Sequence, residues 1–271
     1  MNKVVTILLL FFSLCAGAQE EYQPVWHSTM FGYGSANVYD TYLSPYNYKG
    51  TGGRIMRETW RQTSLMNNRI WVQTMCNLNA AYTSGPADNA HDWTGGIRYS
   101  VDWLYNLPVL QSSTSSLCLY AGLGISGYLG GVYNTRNGNN PANAHASVMI
   151  DASVMAAYDF RWLNRTQKVR YQLSVPMAGV AYSPNYGQSY YEEFMLGNSD
   201  HNICFAYVGN VPSWRHLLTW DITLNDRWAV RLGYDGEFMQ SKLNGLRYHC
   251  YTHNFLIGFT KQFFRKGGRR K

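Results

Sequence analysis

Apolar and polar side chains alternate with a period of two along several long stretches of the chain. In the clearest stretch, residues 145–162, the apolar face consists of Ala146, Val148, Ile150, Ala152, Val154, Ala156, Tyr158, Phe160 and Trp162. The opposite face carries His145, Ser147, Asp151, Ser153, Asp159 and Arg161. Because successive side chains of a strand point to opposite sides of a sheet, this alternation predicts a β-strand. The same pattern recurs over 69–82, 93–105, 169–177 and 228–237.

These predicted strands are longer than the ~5–6 residues that are typical of globular sheets. Strands of outer-membrane barrels place ~9–11 residues in the hydrocarbon, with apolar side chains outside, polar ones inside and aromatic side chains at both interfaces. Trp103, Tyr105 and Trp162 lie where such aromatic belts are expected. We therefore predict an all-β, antiparallel transmembrane β-barrel. A soluble periplasmic β protein is the alternative, because a sheet with one wet face shows the same alternation.

The number of strands depends on residues 183–213. We favour twelve strands, in which 188–196 and 202–209 form an extra hairpin, over ten strands joined there by one external loop. The hairpin would direct either Glu192 or Glu193 at lipid, which costs ~0–1 kcal/mol close to the interface.

The connections indicate which end of the barrel faces out. Short connections are predicted at 66–68, 164–166 and 225–226, and longer ones at 83–90, 134–144 and 240–247, where Asn, Asp, Gly and Pro are frequent. Periplasmic turns of outer-membrane barrels are short and extracellular loops are long. The final strand is therefore expected to end in the periplasm.

The first residues have the layout of an export signal. Lys3 precedes an apolar stretch over 4–14, and Ala16-Gly17-Ala18 forms a small-residue cleavage site. We expect a cleaved signal peptide over 1–18, a barrel over 19–264 and a basic tail over 265–271.

The basic charge of the chain is concentrated in that tail. The 271 residues have a formal net charge of +7, and the tail contains Arg265, Lys266, Arg269, Arg270 and Lys271. A nucleic-acid-binding face would need cations spread over a folded surface. We therefore expect no nucleic-acid partner, and we expect the tail to contact anionic lipid or polymer in the periplasm.

Export would leave four cysteines, Cys76, Cys118, Cys204 and Cys250, with no CxxC pair and no histidine at metal-binding spacing. Disulfides are possible outside the cytoplasm. The interpretation that we favour is free, buried thiols, with no metal ion and no cofactor.

Four short strings resemble an uncharacterised family of exported proteins from Gram-negative bacteria, known as a domain of unknown function. The strings are SPNYGQSYYE at 183–192, LGN at 196–198, SKLN at 241–244 and THNFLIG at 252–258. The resemblance covers most of the mature chain. It implies an outer-membrane barrel, and it assigns no activity and no site residues.

One pair of residues suggests an enzyme. His145 and Ser147 lie two apart on one predicted strand, so they share a face with Asp151, and an imidazole can activate a neighbouring hydroxyl as a nucleophile. Outer-membrane lipid hydrolases present such a pair to lipid, whereas parity places this one on the polar, inward face. An acyl hydrolase is therefore the alternative function, and ordinary lumen residues are the interpretation that we favour.

The other polar faces contain charges of both signs. The predicted lumen network consists of Arg98, Asp102, Asp151, Asp159, Arg161, Arg170, Arg215, Asp221, Arg231, Asp235 and Glu237. Opposite charges can satisfy one another where water is scarce. A ring of one sign would favour an ion pore, and none is visible. We expect a filled or narrow lumen, with a small-solute path as the alternative.

An external pocket for sugar or lipid headgroups is a further hypothesis. Its candidate residues are Tyr186, Tyr190, Tyr191, Glu192 and His201, although tyrosine is also common at membrane interfaces without any ligand. We thus expect a barrel with a structural, small-solute-passage or ligand-binding role. Its expected partners are outer-membrane lipid and the barrel-assembly machinery.

Overall fold

The computed structural model of the protein describes residues 23–265, apart from 139 and 164. The strands are β1 (Gln23–Asp40), β2 (Asn47–Gln62), β3 (Ile70–Ser84), β4 (His91–Gln111), β5 (Ser115–Asn134), β6 (Ala142–Trp162), β7 (Arg165–Tyr182), β8 (Ile203–Tyr207), β9 (Trp214–Thr223), β10 (Trp228–Leu243) and β11 (Leu246–Arg265). One short helix, α1, covers Tyr190–Phe194. Over these residues no helix is long and apolar enough to cross a bilayer. The expected signal peptide at 1–18 and tail residues 266–271 lie outside the described residues.

The sheet closes on itself. Each strand from β1 to β7 pairs antiparallel with the next, β7 pairs with β9, β9 with β10, β10 with β11, and β11 with β1. The prediction of a closed antiparallel barrel is confirmed. The preferred count of twelve strands is wrong, because ten strands close the described wall and β8 is an addition to it. Strand β11 also includes Arg265, the first residue of the expected tail.

The expected hairpin at 188–209 forms only in its second half. The Ser189 side chain accepts a hydrogen bond from the Glu192 backbone N–H, and the Glu192 carboxylate accepts one from the Ser189 N–H. This capping box begins α1 where a strand was expected. The Glu193 carboxylate accepts a hydrogen bond from the Tyr182 hydroxyl at 2.5 Å. Glu192 thus has its partner within the connection and Glu193 has its partner at the end of β7, which a lipid-facing strand would not have supplied.

Strand β8 replaces β9 as the neighbour of β7 in one half of the barrel. β9 pairs with 167–174 of β7, and β8 pairs with 178–182. The side-chain amide of Asn210 donates to the Phe205 carbonyl, and its oxygen accepts from the Tyr207 N–H. The Asn210 carbonyl in turn accepts a hydrogen bond from Lys242 of β10. Asparagine contacts therefore join β8 to β10 where the ladders of the wall are interrupted.

The connections lie at two ends, which we name by their contents. The loop end carries residues 41–46, 85–90, 135–141, 183–213 and 244–245, and the terminal end carries both termini of the barrel and the remaining connections. The expectation of a long connection at 240–247 is wrong. Strands β10 and β11 meet there in a two-residue turn, in which Asn244 and Gly245 have φ of 49° and 77°. Asn-Gly is the dipeptide that such a turn prefers, because both residues need positive φ.

The two faces of the wall differ in polarity, as the alternation predicted. On β6, Val148, Ile150 and Val154 are exposed on the outside, whereas Asp151 and Ser153 are buried inside. Because the barrel is closed, the backbone hydrogen-bonding groups of each strand can pair with neighbouring strands. The apolar outer face is therefore suited to contact with lipid. The four cysteines of the described residues are free thiols, and Cys250 is buried within the barrel.

Candidate functional site

A cluster of charged side chains fills the middle of the barrel. Arg54 of β2 contacts the carboxylates of Asp235 and Glu237 on β10, the latter at 2.6 Å. Arg98 of β4 approaches the same Glu237 at 2.8 Å. Strands β2 and β4 are not neighbours of β10. These ion pairs therefore cross the interior.

A second group lies around Glu58 of β2. Its carboxylate accepts hydrogen bonds from Arg170 of β7, at 2.6 Å, and from Arg231 of β10. Arg231 is held in turn by a bidentate pair with Asp221, at 2.6 and 2.7 Å. The Gln73 amide donates to Glu58 at 2.7 Å. Arginine forks bonded in this way are fixed in orientation as well as position.

Uncharged side chains complete the obstruction. Gln73 of β3 and Gln172 of β7 exchange amide hydrogen bonds at 2.8 and 2.7 Å across the interior. Ser153 donates to the carboxylate of Asp102 at 2.8 Å. We call these ion pairs, together with their amide and hydroxyl partners, the interior cluster. Its side chains are buried apart from Arg98, which is partly exposed.

Most of the predicted lumen charges face the interior. Asp102, Asp151 and Arg215 are buried there with the residues of the cluster. Asp159 is half-buried near the terminal end and pairs with Lys168 at 3.3 Å. Arg161 is exposed, two residues farther towards that end, so the expectation that it belongs to the lumen network is wrong.

The sequence reasoning missed Arg54 and Glu58, which hold the largest share of the cross-barrel contacts. Strand β2 has no uniformly apolar face, since Ile55, Arg57 and Thr59 alternate with Arg54 and Glu58. The periodicity that revealed the other strands is therefore weak in β2. The available signal was the spacing of four between Arg54 and Glu58, which puts opposite charges on one face of a strand.

His145 is hydrogen-bonded to Asp40, whereas a hydrolase would need it to contact the Ser147 hydroxyl. Its Nε2 lies 3.0 Å from a carboxylate oxygen of Asp40, which also accepts from the Asn143 amide at 2.8 Å. The ring stacks on Tyr248, with centroids 3.8 Å apart. Over the described residues His145 and Ser147 share no hydrogen bond, and both lie on the inward side of β6. The geometry is that of a packed histidine at the mouth of the barrel.

A segment of the longest connection, residues 183–202, closes over this mouth. The Tyr42 hydroxyl donates to the Gln188 carbonyl at 2.9 Å, and the Tyr190 hydroxyl donates to Asn143 at 3.0 Å. Burial, together with nearby Tyr190, Glu193 and Asp40, raises the pKa of Tyr42 to about 12. Burial likewise raises the pKa of Tyr190. Both phenols are therefore neutral donors at ordinary pH.

The five residues proposed for an external pocket serve separate roles. The Tyr190 hydroxyl donates a hydrogen bond to Asn143 at the barrel mouth, and the Glu192 carboxylate takes part in the capping box of α1. Tyr186 and Tyr191 are 78% and 64% exposed, and His201 is also exposed, at a backbone φ of 64°. The structure does not bring the five side chains together. Over the described residues, no group of three or more His, Cys, Asp or Glu side chains is placed to hold a metal ion.

A closed antiparallel barrel with an apolar outer face and a charged interior defines the protein as an outer-membrane β-barrel. The localisation expected from the sequence is confirmed. The chain belongs to the DUF3316 family, described as a protein of unknown function, whose model matches residues 4–270. No curated protein matches the sequence.

Solved structures share the fold at low sequence identity. The outer membrane protease OmpT from Escherichia coli has a TM-score of 0.51 and 8% identity, over 92% of this chain and 100% of that chain. The transport unit of the autotransporter AIDA-I from Escherichia coli has a TM-score of 0.49 and 8% identity, over 98% of both chains. The likeness to OmpT, at 8% identity, concerns the fold alone.

Proposed function

We propose that the protein is a non-conducting barrel that acts through ligand binding at its loop end, and that solute passage is not its role. The observation that carries this proposal is the set of ion pairs that cross the interior from β2 and β4 to β7 and β10. The segment 183–202 adds a second layer over the mouth. The loop end is the part of the barrel that remains available to a ligand from outside.

The energetics favour a permanently filled lumen. Removing one partner of a buried ion pair costs ~3–5 kcal/mol, because the remaining charge is left without compensation. A solute path through the middle would have to separate several such pairs at once. Thermal fluctuation at ordinary temperature does not supply that free energy, so we expect the cluster to stay intact.

The orientation follows from the lengths of the connections. The loop end carries the long connection 183–202, and outer-membrane barrels place their long loops outside the cell. The termini then face the periplasm. We further propose that 1–18 is a cleaved signal peptide, that the assembly machinery inserts the barrel, and that the basic tail contacts anionic lipid or polymer. N-terminal sequencing of the purified protein tests the first point, with Gln19 as the expected first residue.

Conductance in planar bilayers tests the proposal. We expect no steady current from the wild-type barrel. A variant with Ala at all eight charged positions of the two groups removes four cations and four anions together, and we expect it to conduct. These positions are Arg54, Glu58, Arg98, Arg170, Asp221, Arg231, Asp235 and Glu237. Asp226→Asn, at an exposed turn of the terminal end, is the control that should remain closed. Retention of the folded state is checked by heat-modifiable gel migration, and an ohmic wild-type current would overturn the proposal.

A further inference from the structure

The loop end contains a cavity between three connections. It is bounded by residues from 41–46, 85–90 and 134–137 and has a volume of about 510 Å³. Ligand pockets typically measure ~300–1,000 Å³. The cavity lies apart from the tyrosines of 183–202 that were considered from the sequence.

One wall of this cavity is aromatic and apolar. The Tyr46 side chain is 60% exposed, whereas Tyr48 beside it is 4% exposed. Leu43, Pro86 and Ala90 extend the apolar surface. The exposed Tyr46 ring offers a flat apolar face with a polar hydroxyl edge, and such a surface suits a ligand that has both apolar faces and hydroxyl groups.

The cavity is held in shape by its own hydrogen bonds. The Asn134 side-chain oxygen accepts from the backbone N–H of Arg136 and of Asn137, both at 3.0 Å. The Asn137 amide donates to the Leu43 carbonyl at 3.2 Å, which ties the β5–β6 connection to the β1–β2 connection. A site that is ordered before binding loses less entropy when the ligand arrives.

One charged residue, Arg136, is among the residues that line the cavity, and the exposed Asp88 of the 85–90 connection is not among them. Arg136 is exposed and lines the cavity, and the lining residues include no carboxylate. In the described part of the chain, Arg136 makes no ion pair. A guanidinium presents several donors in a plane that matches a carboxylate or phosphate group. Asn89 and Ser44 add neutral hydrogen-bonding groups to the same lining.

We propose that this cavity binds an acidic saccharide, an inference that rests on the proposed binding role of the loop end. Arg136 pairs with the carboxylate or phosphate of the ligand. The Tyr46 ring packs against an apolar face of the sugar, and Asn89 and Ser44 bond its hydroxyl groups. The ligand can be a saccharide of the lipid in the same membrane or a soluble polymer from outside, since both present the same chemistry.

The test is calorimetric titration of the full barrel in nanodiscs of neutral phospholipid. Trigalacturonic acid is the acidic probe and maltotriose the neutral one. We expect the acidic probe to bind at least ten times more tightly than the neutral one. Arg136→Gln should remove that preference, and Tyr46→Ala should weaken both probes. Arg247→Gln, at another exposed arginine of the loop end, is the matched control and should bind as wild type.

Equal binding by wild type and Arg136→Gln, or no binding of trigalacturonic acid to the folded wild type, would overturn the inference. Folding of each variant is verified by heat-modifiable migration before titration. Nanodiscs containing lipopolysaccharide separate the two sources, because a ligand from the same membrane should compete with the probe. A current through the wild-type barrel would contradict the closed lumen while leaving this binding measurement intact, so the two failures are distinguishable.

Discussion

The guanidinium of Arg170 on β7 lies 2.6 Å from the carboxylate of Glu58 on β2, although the two strands face each other across the barrel. The same carboxylate contacts Arg231 of β10. One acidic side chain therefore links three separate parts of the wall. These contacts cross the lumen and join strands that are not neighbours in the wall.

Replacing that carboxylate should destabilise the barrel. Glu58→Gln leaves Arg170 and Arg231 buried with one negative charge fewer, and we expect a loss of about 3 kcal/mol in the free energy of unfolding. Urea unfolding in detergent micelles, followed by tryptophan fluorescence, measures the change. Asp226→Asn at an exposed turn should alter stability by no more than about 0.5 kcal/mol. Equal midpoints for Glu58→Gln and wild type would show that the pair contributes nothing.

Two glycines of β5 should respond in opposite ways to the same substitution. A Cβ at Gly122 would overlap the backbone carbonyl of Trp103, whereas a Cβ at Gly127 would meet no atom within 4 Å. We expect Gly122→Ala to lower the free energy of unfolding by about 1–3 kcal/mol. Gly127→Ala should leave it unchanged or raise it by up to about 1 kcal/mol, because glycine is unfavourable inside a strand. Thermal shifts in gel migration compare the two, and a similar loss in both would contradict the steric argument.

The phenol of Tyr42 should lose its proton at a higher pH than an unperturbed tyrosine does. Its pKa is raised to about 12 by burial and by neighbouring Tyr190, Glu193 and Asp40. The folded state favours the neutral phenol. Its contribution to the free energy of unfolding is therefore complete below the unfolded pKa of about 10, and it is lost as the pH rises through about 12. The difference in absorbance at the phenolate band between wild type and Tyr42→Phe isolates this one tyrosine. A difference that titrates near pH 10 would indicate that Tyr42 is not buried against Tyr190 and Glu193 in solution.

The sequence by itself determined the class of fold. Alternation on β4, β6 and β10 showed which side chains meet lipid and which face inward, because a strand has a fixed period of two and each face meets one solvent. It also identified most of the interior charges, including Asp102, Asp151 and Glu237, by parity alone. The prediction of inward and outward faces was weak on β2, because both faces of that strand carry charged as well as apolar side chains.

The tertiary structure decided the rest. Which arginine meets which carboxylate depends on strands that lie far apart in the chain and come together only when the barrel closes, as Glu58 and Arg170 do. The structure of 188–209 likewise could not be read from its strand-like pattern. The capping box, in which Ser189 and Glu192 exchange hydrogen bonds, begins a helix there instead. Local periodicity reports the solvent that each side chain faces, whereas closure of the wall sets the partners, the obstruction of the lumen and the cavity between the loops.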